Sequence, residues 1–124
     1  MQIYKNKAFS KWAAKNGLSD EALCTAVAEI EDGLVEADLG GHVYKKRVAL
    51  GGRGKSGGVR TLLAYKLGDK AFFVYGFAKN ARSNISDKEL KALKLYARTL
   101  LGYSEKELTV AVTSDALIKV NYDG

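Results

Sequence analysis

Arg60 stands two residues past Gly58, near the head of an otherwise apolar segment, Val59-Arg60-Thr61-Leu62-Leu63-Ala64-Tyr65-Lys66. An arginine so placed can clamp a phosphate through two guanidinium N–H groups, or stabilise negative charge that develops in a transition state. Lys45 and Arg47 lie two apart in the preceding segment, His42 to Leu50, and so share one face of a strand. All three cations can converge on one place. Lys46, between them, shares the opposite face with Tyr44 and Val48, and counts among the candidates for backbone contact to nucleic acid. Lys79, Asn80 and Arg82 follow a third segment, Ala71 to Ala78, and border the same patch. The plainer reading of Arg60 is a solvated strand end.

The connection Gly51-Gly52-Arg53-Gly54-Lys55-Ser56-Gly57-Gly58 invites comparison with a nucleotide-triphosphate loop, and the comparison fails. Such a loop needs glycine where Ala49 stands, and a helix rather than a strand must follow it. Five glycines instead let the backbone come close to a ligand, with Arg53 and Lys55 supplying charge to a phosphate chain. A plain flexible hairpin connection is the alternative. His42 is the single histidine and pairs with no nucleophile in the pattern, so it reads as a surface strand residue. Cys24, the single cysteine, sits among Ala22, Leu23, Ala26 and Val27 and reads as a buried small hydrophobe. No disulfide within the chain is open to it, and no cysteine or histidine spacing marks a metal site. Catalysis, if present, rests on basic side chains and binding geometry.

The charge distribution supports this emphasis. The 124 residues carry a net charge of +6, and the charge is segregated. Leu18 to Gly41 holds seven acids and no Lys or Arg, whereas His42 to Arg98 holds fourteen basic residues and three acids. A sheet this one-sided is built to meet something negative. Hydrophobic content of 47% favours a globular fold, and the length suits one domain, residues 1–124. No apolar run approaches the roughly 20 residues of a membrane helix, and the start of the chain lacks a signal-peptide pattern. A cytoplasmic protein is expected.

The elements that must position the cations follow from periodicity. Ile3-Tyr4 reads as a short edge strand. A helix over residues 6–16 turns Phe9, Trp12 and Ala13 to one side, and a second, capped by Ser19, presents Leu23, Ala26 or Val27, and Ile30. Gly68-Asp69 marks a hairpin between the second and third core strands. Phe72-Phe73-Val74-Tyr75 reads as a central strand, and Gly76 as a bulge or a close approach. Ser86-Asp87-Lys88-Glu89 and Ser104-Glu105-Lys106-Glu107 are capping boxes that open two C-terminal helices. The first turns Leu90, Leu93, Ala97 and Leu100 inward, leaving Lys88, Lys91 and Lys94 as a solvated face. Leu117 to Val120 forms a last short strand. The fold class is α+β: an N-terminal helical hairpin on a small, mainly antiparallel sheet, followed by C-terminal helices and a final strand.

With these residues in place, Gly54-Lys55-Ser56-Gly57-Gly58-Val59-Arg60 and Phe73-Val74-Tyr75-Gly76-Phe77-Ala78-Lys79-Asn80 resemble the RelE/ParE superfamily of bacterial toxins, nearest its HigB-type, phage-associated branch. The resemblance runs over nearly the whole chain. It implies a toxin of a type II toxin–antitoxin pair that cleaves mRNA in the ribosomal A site without a metal or other cofactor. The reaction would leave a 2′,3′-cyclic phosphate. It implies Arg60 as the family's arginine at the start of the second core strand, and Lys45 and Arg47 as its preceding basic pair. Lys79 and Arg82 then match the basic loop after the third strand. Family members place an arginine and a tyrosine in and after that loop, where this chain has Asn80 and Ser86. The tyrosine's role has no obvious holder here. The resemblance also implies an antitoxin partner, of the helix-turn-helix DNA-binding kind. Two rivals share the basic surface: a ParE-like poison of DNA gyrase, and a non-catalytic module that binds nucleic acid or a protein.

Overall fold

A computed structural model describes residues 1–50, 58–78 and 85–120. The elements run β1 (Gln2–Asn6), α1 (Lys7–Lys15), α2 (Asp20–Glu31), β2 (Ala37–Asp38), β3 (Val43–Val48), β4 (Val59–Tyr65), β5 (Lys70–Ala78), α3 (Asp87–Leu101), α4 (Glu105–Thr113) and β6 (Leu117–Lys119). The strands form one sheet in the order β2-β3-β4-β5-β1-β6. Every pairing is antiparallel except β1 with β5, which is parallel. The α+β expectation therefore holds, with a mostly antiparallel sheet.

Short-range chemistry sets the helix starts. The Asn6 side chain accepts from Phe9 N at 2.7 Å and caps α1, and Ser19 caps α2. Both predicted capping boxes form: Glu89 N donates to Ser86 Oγ while Ser86 N donates to Glu89 Oε1, and Ser104 and Glu107 repeat the exchange. Each box satisfies two of the donors that a helix N-terminus leaves without a partner.

Alternation along the strands then divides the core in two. One set (Ile3, Val48, Val59, Leu63, Phe73) packs under α1 and α2 with Phe9, Leu23, Val27 and Ile30. The other (Tyr4, Val43, Ala64, Phe72, Val74) packs under α3 and α4 with Ala97, Leu100 and Leu108. The sheet is thus covered on both sides, and this explains the mixed pattern of β3. Neither face of that strand is a plain solvent face.

One expectation is revised. β1 is no edge strand. It lies between β5 and β6, with Ile3 and Tyr4 only 6% and 5% exposed and Tyr4 stacked on Phe72 at 5.2 Å. Burying an apolar side chain on each face favours the interior of a sheet over its rim. The rim is formed instead by β2, two residues long, and by β6.

Gly76 answers to the close-approach reading. The register irregularity lies just before it: Leu62 pairs with Tyr75 and Leu63 with Phe73, so Val74 is the extra residue. A Cβ on Gly76 would run into the six-membered ring of Trp12. Gly76→Ala is therefore expected to lower stability by about 1–3 kcal/mol through overpacking. A fall in the urea midpoint with unchanged slope would register it.

Candidate active site

The hairpin of β3 and β4 brings the first-named cations together. Its register sets Arg47 directly opposite Arg60, with Lys45 opposite Leu62. All three lie on the face shared by Val43 and Ala64. Like charges placed directly across a strand pair repel, and a carboxylate resolves the conflict. Glu36 stands immediately before β2, its amide donating to Lys45 O at 3.0 Å. Its side chain accepts from Arg60 Nε through both oxygens, at 2.9 and 3.2 Å, and from Arg47 Nη2 at 3.5 Å.

The cluster lies at the surface on its Glu36 side and is shielded on its Arg60 side. The Arg60 side chain is 11% exposed, that of Glu36 23%, and that of Arg47 35%. Exposed ion pairs hold their geometry weakly; here the contact of Nε with both carboxylate oxygens favours one plane of the guanidinium. Arg47 remains under-used. Its contact with Glu36 is at the long limit of a hydrogen bond, and its Nε is buried with no acceptor among the described residues. Lys45 forms no ion pair among the described residues. Among the described residues, three cations against one carboxylate leave the end of the hairpin positive, with at least one donor lacking a partner. The chemistry such a site offers is anion binding beside a fixed carboxylate.

Lys46 is elsewhere. Its side chain faces the α2 layer, 5% exposed, with Nζ 2.7 Å from Glu29 of that helix. Its carbonyl accepts from buried Thr61 Oγ1 at 2.9 Å. Strand alternation forces the separation: neighbours of Lys45 and Arg47 on the chain must point to the other side of the sheet. Lys46 is thus an internal tie between β3 and α2. Lys46→Ala is expected to lower stability by about 3 kcal/mol, the low end for breaking a buried pair because Glu29 keeps some contact with water. Urea denaturation would show the loss, and filter binding of RNA would show no change.

Arg53, Lys55, Lys79, Asn80 and Arg82 lie outside the described residues. His42 precedes β3 at the end opposite Arg47, and five residues of strand separate the two by about 16 Å. It belongs to a different part of the surface. The Cys24 thiol is buried under α2, and burial, with Asp20 and Glu21 adding to it, pushes its pKa up. It behaves as the small hydrophobe its neighbours suggested.

Glu36 is the residue that sequence reasoning missed. It sat in an acidic stretch read as one block. The available signal was the order Val35-Glu36-Ala37, an acid between apolar residues, followed by the turn Asp38-Leu39-Gly40-Gly41 into a basic strand. That is a hairpin pattern placing a carboxylate beside cations.

A sheet held between an N-terminal helical hairpin and two C-terminal helices, with an arginine pair at one end of its basic hairpin, defines a RelE-like protein. The chain belongs to the RelE toxin family: the family described as "RelE toxin of RelE / RelB toxin-antitoxin system" matches residues 1–120. It is a toxin of a toxin–antitoxin system, and membership brings with it a cognate antitoxin as partner. Among curated proteins no relative matches. No helix among the described residues is long and apolar enough to cross a membrane.

Proposed function

We propose that this toxin is an endoribonuclease that inhibits translation by cutting mRNA on the ribosome, in the manner of the HigB-like branch, without a metal. The observation that carries the reading is the cluster of Arg47 and Arg60 about Glu36, with Lys45 two residues away on the same strand face. Cleavage of RNA by its own ribose needs a proton acceptor for the 2′-hydroxyl and positive charge around the phosphate. In this reading Glu36 takes the 2′-hydroxyl proton, O2′ attacks the adjacent phosphorus, and the bond from phosphorus to O5′ breaks. The products are a 2′,3′-cyclic phosphate and a 5′-hydroxyl. Arg60 and Arg47 stabilise the charge gathering on the phosphoryl oxygens, and Lys45 returns a proton to O5′.

Glu36 fills the vacancy left by the absent family tyrosine. The remaining titratable candidate, His42, is about 16 Å along the strand. Arg53, Lys55 and Asn80 serve as contacts to the RNA backbone, and Lys79 and Arg82 border the reacting phosphate.

Induced expression in a bacterial host lacking the antitoxin tests this. The expected result is growth arrest with new transcript ends inside translated codons, each carrying a 2′,3′-cyclic phosphate upstream of the cut. Arrest with intact transcripts and a DNA-damage response would favour gyrase as target. Undisturbed growth would reduce the chain to a binding module.

A further inference from the structure

At the far end of β3 and β4 from the arginine pair, α3 and the strand ends enclose a groove of about 600 Å³. Lys91, Lys94, Leu95 and Arg98 follow helical spacing and line it from α3, and Lys66 lines it from the end of β4. Its floor is apolar: Leu95, 62% exposed, and Leu101. The aliphatic stem of Lys94 lies along the turn of Gly40 and Gly41, where a Cβ on Gly41 would come within 3.0 Å of its Cγ. Gly40, Gly41 and His42 all have positive φ, which lets backbone and lysine approach this closely. None of the residues lining the groove is acidic, and its four Lys and Arg side chains form no ion pair among the described residues.

Cations around an apolar floor do not suit every anion equally. A nucleic-acid strand would satisfy the charges and leave Leu95 against phosphate and water. An acidic protein segment with a large apolar side chain satisfies both the rim and the floor. We propose that this groove docks an acidic segment of the antitoxin, its carboxylates on Lys66, Lys91, Lys94 and Arg98 and an apolar anchor on Leu95 and Leu101. The proposal rests on membership of the toxin family and not on the cleavage reading. It places antitoxin capture at the opposite end of the hairpin from Arg60, so holding the toxin and blocking its chemistry are separable events.

The test uses the full chain and the antitoxin encoded beside it, with binding followed by calorimetry. Lys91→Glu combined with Arg98→Glu, both exposed, is expected to weaken binding by about 30-fold or more, and to flatten its salt dependence. Leu95→Ser is expected to weaken it by about 5- to 10-fold, the range for losing one apolar anchor. Melting temperature and RNA cleavage stay at the wild-type level in both variants, because these side chains are solvent-facing and remote from Arg60. Antitoxin affinity unchanged in both variants would overturn the proposal. So would intact antitoxin affinity alongside weakened binding of a 20-nucleotide single-stranded RNA, which would make the groove an RNA surface. Weakened antitoxin binding in a chain whose wild type cleaves no RNA would support the groove and overturn the cleavage reading alone.

Discussion

Arg60→Ala is expected to lower the rate of the cleavage step by about 10²- to 10³-fold, the loss typical of removing one preorganised donor to a charged transition state. The fold should survive, since Arg60 packs at the end of β4 and its departure leaves Glu36 still in reach of Arg47. Single-turnover cleavage on programmed ribosomes separates the two effects. kcat falls, and RNA affinity falls much less, if Arg60 acts mainly on the transition state. Arg60→Lys sharpens the test. A lysine restores charge but not the planar fork that grips Glu36 through Nε and offers its terminal nitrogens to a phosphate. It is expected to recover little. If cleavage by Arg60→Ala matches wild type, the arginine is a structural partner of Glu36 and nothing more.

Glu36→Gln carries the second large effect, expected at about 10²- to 10⁴-fold in kcat, the contribution of a positioned general base. The amide keeps an acceptor for Arg60 Nε and the same side-chain length, so the guanidinium planes are largely preserved. The ability to take a proton is lost. RNA affinity should hold or rise, because a negative charge has left the neighbourhood of the phosphate. That split, slower chemistry with equal or tighter binding, is the signature of a proton acceptor. A merely structural role predicts the reverse: weaker binding, a lower urea midpoint and little change in kcat. Tighter binding with full activity would show that Glu36 only competes with phosphate for the two arginines.

What was legible in the sequence divides along a physical line. Helix starts were readable because capping is local: Ser86 and Glu89, or Ser104 and Glu107, carry their own geometry within four residues. Fold class and family were readable for a related reason, since a glycine-flanked Arg60 and the segment from Phe73 to Asn80 form a compact pattern. The neighbours joined by the Gly68-Asp69 turn were readable, and strand neighbours distant in sequence were not. The parallel pairing of β1 with β5 joins Gln2 to Lys70, a contact that alternation in either strand cannot announce.

The candidate site shows the same limit more sharply. Lys45, Lys46 and Arg47 look alike in sequence, and period two says only that the middle one differs. Which face would carry the chemistry depended on where α2 placed Glu29 to receive Lys46. Glu36 lay beyond reach for its own reason. Its role comes from a two-residue strand, too short to leave a periodic trace, folded back on the basic strand it neutralises.

The position of β1 has a bearing on when this protein becomes itself. The first strand to be synthesised has both its hydrogen-bonded neighbours made later, β5 after residue 70 and β6 only at residues 117–119. Closing contacts across nearly the whole chain is the slow, entropically costly part of folding such a sheet. The arginine hairpin is local and pairs early, but the sheet that holds it rigid is unfinished until the last strand arrives. A chain cut short anywhere before Leu117 leaves one side of β1 without its partner, and the cluster around buried Tyr4 without Leu117. The sequence order thus works as a timer: the toxin acquires its finished sheet only once β6, the last strand, has been made.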